Sequence, residues 1–104
     1  MYEDKPTRVI TLETAIKLTS GDRNKSYGPP FDNLSDCAAL WDAYLGCRKG
    51  GAISAEDVAW MNVLQKIARS LQVGYHADNY VDAAAYAAIA GECREIKNAG
   101  GARD

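Results

Sequence analysis

Residues 78–97 read DNYVDAAAYAAIAGECREIK, and this stretch decides the fold. Ala83, Ala84, Ala85, Ala87, Ala88 and Ala90 fill its middle. Alanine is the strongest helix former, and a stripe of such small side chains lets a neighbouring helix approach at the short end of the usual ~8–10 Å spacing. Working outward, residues 54–71 read SAEDVAWMNVLQKIARSL. Ser54 and Asp57 have the spacing of a capping box, with Asp in place of the preferred Glu. Trp60, Val63/Leu64, Ile67 and Leu71 recur at helical period and predict the core face of this segment. Further upstream, Leu34, Cys37/Ala38, Trp41 and Tyr44/Leu45 predict one buried face of a helix from Asp32 or Asn33 to about Cys47. Arg48-Lys49-Gly50-Gly51 ends it, with cations and then glycine beyond its C-terminus. A shorter helix near the N-terminus is expected after Thr11, as a cap, through Leu12, Ala15 and Ile16 to about Thr19, where Gly21 stops it.

Residues 21–31, GDRNKSYGPPF, form a loop. Pro30 keeps Pro29 out of the α region. No alternating strand pattern competes with the helices. The connections between the last three are short, which makes neighbours antiparallel. The expected architecture is one all-α domain over residues 1–104, a small four-helix bundle-like fold with an irregular first loop. Residues 1–10 serve as an N-terminal arm and 98–104 as a frayed tail.

Composition narrows the class. The chain of 104 residues carries 12 Lys+Arg against 14 Asp+Glu, a net charge of −2, with 47% apolar and 25% charged residues. This is a globular composition, and it lacks the basic excess usual for a dedicated nucleic-acid binder. No apolar run approaches the ~18–20 residues that span a bilayer. The polar start, Met1 to Arg8, lacks the apolar core of a secretory signal. The three cysteines, Cys37, Cys47 and Cys93, show no metal-ligand spacing and read as reduced thiols of a cytoplasmic protein. Two Trp and six Tyr are more aromatic surface than so small a core hides, which predicts a homo-oligomer.

Three polar clusters fall where packing does not require them. The first is the loop segment with Arg23, Lys25 and Tyr27, where cations beside a glycine suit a phosphate group. The second is Asn62, Lys66 and Arg69, which share one helix face by their spacing. They form either a snorkelling solvent face or a positive wall for an anion. The third is Asp78, Asn79 and Asp82 with Tyr86. Asn79 and Asp82 are spaced either as an oxygen-ligand pair for a hard cation or as a capping box.

Taken as a set, these residues resemble a family of small phage and prophage proteins of unestablished activity. The resemblance rests on Asp22-Arg23, Tyr27-Gly28, Asn33, Trp41, Glu56-Asp57-Val58-Ala59, Lys66-Ile67-Ala68-Arg69 and the run from Asp78 to Ala87, across residues 11–97. The layout is similar, more distantly, to the MazG-like all-α nucleoside-triphosphate pyrophosphohydrolases. That likeness implies an oligomer holding Mg²⁺ through two acidic pairs, with Asn79-x-x-Asp82 in the place of the second. The first pair, E-x-x-E, is absent from this chain. Metal-assisted cleavage needs several convergent carboxylates, so the basic half of a nucleotide site is better supplied than the hydrolytic half.

The expectation is therefore a phage-encoded nucleotide-binding protein, free in the cytoplasm of an infected bacterium, with no catalytic residue and no cofactor. It would sequester a signalling or cyclic nucleotide and so blunt host defence. Arg23, Lys25, Lys66 and Arg69 would take phosphates, Tyr27, Trp60 or Tyr86 would stack on a base, and Asn62 or Asn79 would read an edge. One alternative is a Mg²⁺-dependent (d)NTP pyrophosphohydrolase using Asp78 and Asp82 as metal ligands. The other is an inhibitor that binds a host defence protein.

Overall fold

A computed structural model of the chain describes residues 5–21 and 28–100. Among the described residues there are four helices and no strand: α1 (Thr7–Thr19), α2 (Pro30–Cys47), α3 (Ala55–Ser70) and α4 (Ala77–Asn98).

The termini of these helices differ from expectation for identifiable reasons. α1 begins four residues before Thr11, because the carbonyl of Pro6 already accepts from Val9 N at 3.0 Å and Ile10 N at 3.2 Å. α2 begins at Pro30, before Asp32. A proline at the first helical position has no N–H to leave unpaired and a φ already suited to the helix. The Ser54–Asp57 capping box is present in both directions. Asp57 N donates to Ser54 Oγ at 3.1 Å, and Ser54 N donates to Asp57 Oδ2 at 2.9 Å. At α4 the capping-box reading of Asn79 and Asp82 fails. The N-cap is His76, with no side-chain cap, and Asn79 is turned to another helix.

α3 is the centre of the fold, packed between α2 and α4. Tyr44 bonds Asp57, Trp41 bonds Met61 and Asp36 bonds Gln72, so α2 and α3 run antiparallel. Glu56 bonds Arg94, Lys66 pairs with Asp82 and Arg69 bonds Asn79, so α3 and α4 are antiparallel too. Two neighbours demand two buried faces on α3. This is why Asp57, Ala59, Met61 and Ala68 are its buried residues, whereas Ile67 and Leu71, expected in the core, are 41% and 66% exposed. On α2 only Cys37 is buried, and Leu34 is 58% exposed. Ala68 and Ala90 are fully buried, as an alanine-lined contact between α3 and α4 requires.

The core is thin, with no large side chain fully buried among the described residues. Polar bonds between helices therefore carry an unusual share of the definition of the fold. Trp41 Nε1 donates to the Met61 carbonyl at 2.8 Å and fixes the height of α2 on α3. Cys37, Cys47 and Cys93 are free thiols. α1 buries none of its residues and shares no substantial face with the other helices. No helix is long and apolar enough to cross a membrane among the described residues.

Candidate functional site

The C-terminal half of α3 and the N-terminal half of α4 bring the second and third sequence clusters together. Lys66 Nζ lies 3.2 Å from Asp82 Oδ2, and the Lys66 side chain is only 16% exposed. One turn along, Arg69 Nε donates to Asn79 Oδ1 at 3.2 Å, and Asn79 is buried. The two polar clusters thus meet across the helix pair, Lys66 with Asp82 and Arg69 with Asn79. Asp78 remains exposed in the first turn of α4, where a carboxylate complements the positive end of the helix dipole.

The same antiparallel register carries Asn62 to the level of Tyr86, one turn beyond Lys66 and Asp82. Asn62 Nδ2 is folded back onto the Val58 carbonyl at 3.0 Å, and Tyr86 is half-buried. Lys66, Asn79 and Tyr80 line a crevice of about 60 Å³ with Ile67, Ser70 and Ala83. That volume suits a single small group, well below the ~300–1,000 Å³ of a pocket enclosing a whole ligand. Arg23, Lys25 and Tyr27 lie outside the described residues. Their neighbour Gly28 is buried, with φ +76°, and a Cβ built on it would lie 3.8 Å from Gln72 Oε1 and from Val73 Cγ2. This places the end of the first loop beside the α3–α4 turn, at the same end of the bundle as Arg69 and Asn79.

Two aromatic residues at this end were given no role by the sequence reading. Tyr75, in the turn, and Tyr80, in the first turns of α4, stack with ring centroids 5.6 Å apart and planes at 29°. They are 74% and 58% exposed. Their separation of five positions across a helix start has no periodic signature, and only the turn geometry brings them face to face. Trp60, named for stacking, is engaged elsewhere, with Nε1 donating to Glu56 Oε2 at 3.0 Å.

Divalent-metal binding is poorly supplied here. No group of three or more His, Cys, Asp or Glu side chains able to hold a metal ion forms among the described residues. Asp82 is already the counter-ion of Lys66, and Asp78 joins no second carboxylate.

At the opposite end of α3 a second network went unforeseen. Asp57 Oδ1 accepts from Tyr44 Oη at 2.6 Å, and Asp57 Oδ2 lies 3.5 Å from Arg48 Nη1. The Ser54 backbone N–H, followed by the Tyr44 hydroxyl, holds the Asp57 carboxyl below its ordinary value. Burial, and then the hydrogen bond to Asp57, push Tyr44 up to about 12.

A family described only as a domain of unknown function, DUF6378, matches residues 10–94. The chain belongs to that family. Gene 55 protein of Mycobacterium phage D29 is 46% identical over 76 residues, covering 73% of this chain and 48% of that protein. Gene 55 protein of Mycobacterium phage L5 is 42% identical over 78 residues, covering 75% and 48%. The DUF6378 chain thus spans about half the length of these phage relatives. No solved structure matches it significantly. Membership of a family with phage proteins agrees with the resemblance read from the motifs, while the more distant likeness to MazG-like hydrolases finds no support in these matches.

Proposed function

We propose that this DUF6378 chain is a phage-encoded protein that binds a phosphorylated small molecule of the nucleotide class and holds it without efficient turnover. It acts in the cytoplasm of the infected bacterium, as a homo-oligomer, and withdraws a signalling or cyclic nucleotide from host defence. The observation that carries the reading is the exposed Tyr75–Tyr80 stack beside a crevice that Tyr80 shares with Lys66 and Asn79. Stacked rings with their outer faces in solvent add little to a core, but they offer a π surface to a base, worth ~1–3 kcal/mol per base stacked. The nearby cation Lys66 takes phosphate, and Arg23, Lys25 and Tyr27 are the further candidates that the sequence offers for it. Carboxylates are too few and too committed to support hydrolysis, which favours retention over cleavage. Exposed apolar side chains on α1 (Ile10, Leu12, Ile16 and Leu18) and at the start of α2 (Phe31 and Leu34) support association with further copies.

A thermal-shift screen of nucleotides, dinucleotides and cyclic nucleotides, with and without Mg²⁺, tests the proposal. A ligand at about 100 times its dissociation constant adds ~2.7 kcal/mol of stability. The expected result is a large shift with one class, independent of Mg²⁺, weakened by Tyr80→Ala, with the ligand recovered chemically unchanged. Mg²⁺-dependent release of pyrophosphate would establish the hydrolase instead. No shift with any nucleotide, together with co-purification of a host protein, would establish the protein-binding inhibitor.

A further inference from the structure

A second concavity lies at the other end of α3, away from the crevice. It has a volume of about 670 Å³ and is formed by the α2–α3 connection, the first turn of α3 and the last turns of α4. Its charged lining is Arg48, Lys49, Arg94 and Lys97 against Glu56 and Asp57. A chain with a net charge of −2 therefore gathers an excess of two positive charges around one hollow.

The two carboxylates are fully engaged. Glu56 receives Arg94 Nε at 2.7 Å on Oε1 and Trp60 Nε1 at 3.0 Å on Oε2. Asp57 receives Tyr44 on one oxygen and Ser54 N on the other. Arg94 and Lys49 are not consumed to the same degree. Arg94 commits its Nε to Glu56, its side chain is 61% exposed, and its two Nη groups make no hydrogen bond within the described chain. Lys49 is exposed and has no ion-pair partner among the described residues. Arg48 acts as a brace, donating from Nη1 to the Gly50 carbonyl at 2.9 Å and from Nη2 to the Gly51 carbonyl at 3.0 Å.

That brace turns the carbonyls of the loop toward Arg48. The backbone N–H groups of residues 49–53 donate to no other backbone group among the described residues. Gly50 and Gly51, at φ +85° and +84°, leave the space above them open, with no atom within 4 Å of a would-be Cβ. An arginine fork, an exposed lysine and backbone N–H groups without a backbone partner around an open hollow are the donor set of an oxyanion site.

We infer that this hollow is a second, separate anion site of the protein, which takes a small molecule bearing a terminal phosphate or pyrophosphate group through Arg94, Lys49 and the Gly50–Gly51 backbone. It is independent of the nucleotide reading above, because Asp57 and Lys66 stand about 14 Å apart along α3.

The test uses the intact chain, inorganic pyrophosphate as probe, and amide chemical-shift mapping by NMR. The expected result is saturable movement of the Gly50, Gly51 and Ala52 amide resonances, with those of Tyr75 and Tyr80 unmoved. Lys49→Ala should weaken binding about three- to fivefold, the size of one exposed charge contact, whereas Lys66→Ala should leave it unchanged. Pyrophosphate that moves only resonances around residues 66–82 would overturn the inference while leaving the nucleotide proposal standing. Absence of saturable shifts at millimolar pyrophosphate would also overturn it.

Discussion

Replacing Asp57 with alanine should cost this protein more than any other single polar substitution. One carboxylate closes the capping box of α3, accepts the Tyr44 hydroxyl at 2.6 Å and faces Arg48 at 3.5 Å. Loss of a cap costs ~1 kcal/mol, and loss of a hydrogen bond to a charged group ~1.5–3 kcal/mol. Arg48 Nε is already buried without a partner, so removing the carboxylate also leaves that guanidinium without its counter-charge. Breaking a buried pair from one side typically costs ~3–5 kcal/mol. These figures describe overlapping losses and do not add, so we expect ~3–4 kcal/mol in total. At ~4–8 °C per kcal/mol for a domain of this size, the melting temperature should fall by at least about 12 °C. Tyr44→Phe removes one hydrogen bond and leaves the charges matched, at ~1–1.5 kcal/mol. Urea denaturation followed by circular dichroism measures both, and the double variant measures their coupling. If Asp57→Ala proves no more destabilising than Tyr44→Phe, Asp57 is not the junction argued here, and the α2–α3 connection is held by packing alone.

The same pair predicts a stability profile with two edges. Asp57 is depressed in the folded chain, so its contribution is present above the unfolded carboxylate value of ~3.9 and disappears as pH falls through the lower folded value. Tyr44 is raised to about 12, so its contribution is intact below the unfolded value of ~10 and is lost as pH rises from there towards 12; denaturation midpoints in Asp57→Asn should lack the acid edge. Ile16→Glu, on a helix that buries nothing, should leave the unfolding free energy within ~0.5 kcal/mol yet lower the mass seen by light scattering, and a wild-type mass of 11.3 kDa would refute self-association. Asp82→Asn frees Lys66 from its counter-ion; under the binding proposal it tightens a phosphorylated ligand, whereas a metal-dependent hydrolase would lose activity.

Helix identity and order were legible because alanine content, capping spacing and apolar period all point the same way in residues 32–97. The core was less legible. Period 3.6 singles out the largest apolar residues, Ile67 and Leu71, but α3 is gripped on two sides, and close approach on both selects Ala59 and Ala68. The meeting of Lys66 with Asp82 followed from spacing on two antiparallel helices. The Tyr75–Tyr80 stack and the Asp57 hub did not, since each depends on residues brought together by a turn or by a neighbouring helix. Asp57 was recognised locally, as a cap. Nothing in the sequence around it says that Tyr44 and Arg48 arrive at the same carboxylate.

The ion pair between Lys66 and Asp82 bears on binding and hydrolysis at once. Lys66 is 16% exposed and Asp82 44% exposed, so the lysine has given up more of its hydration. Asp82 is its counter-ion in the free protein, at 3.2 Å. A divalent cation recruited by Asp82 would set two positive centres against each other beside a carboxylate that neutralises only one. A phosphate entering the crevice does the reverse, supplying a second anion to Lys66 and loosening its dependence on Asp82. Under the binding proposal, the guest at this end of the bundle brings negative charge without a metal, and the exposed rings of Tyr75 and Tyr80 suit one whose phosphate is attached to something flat.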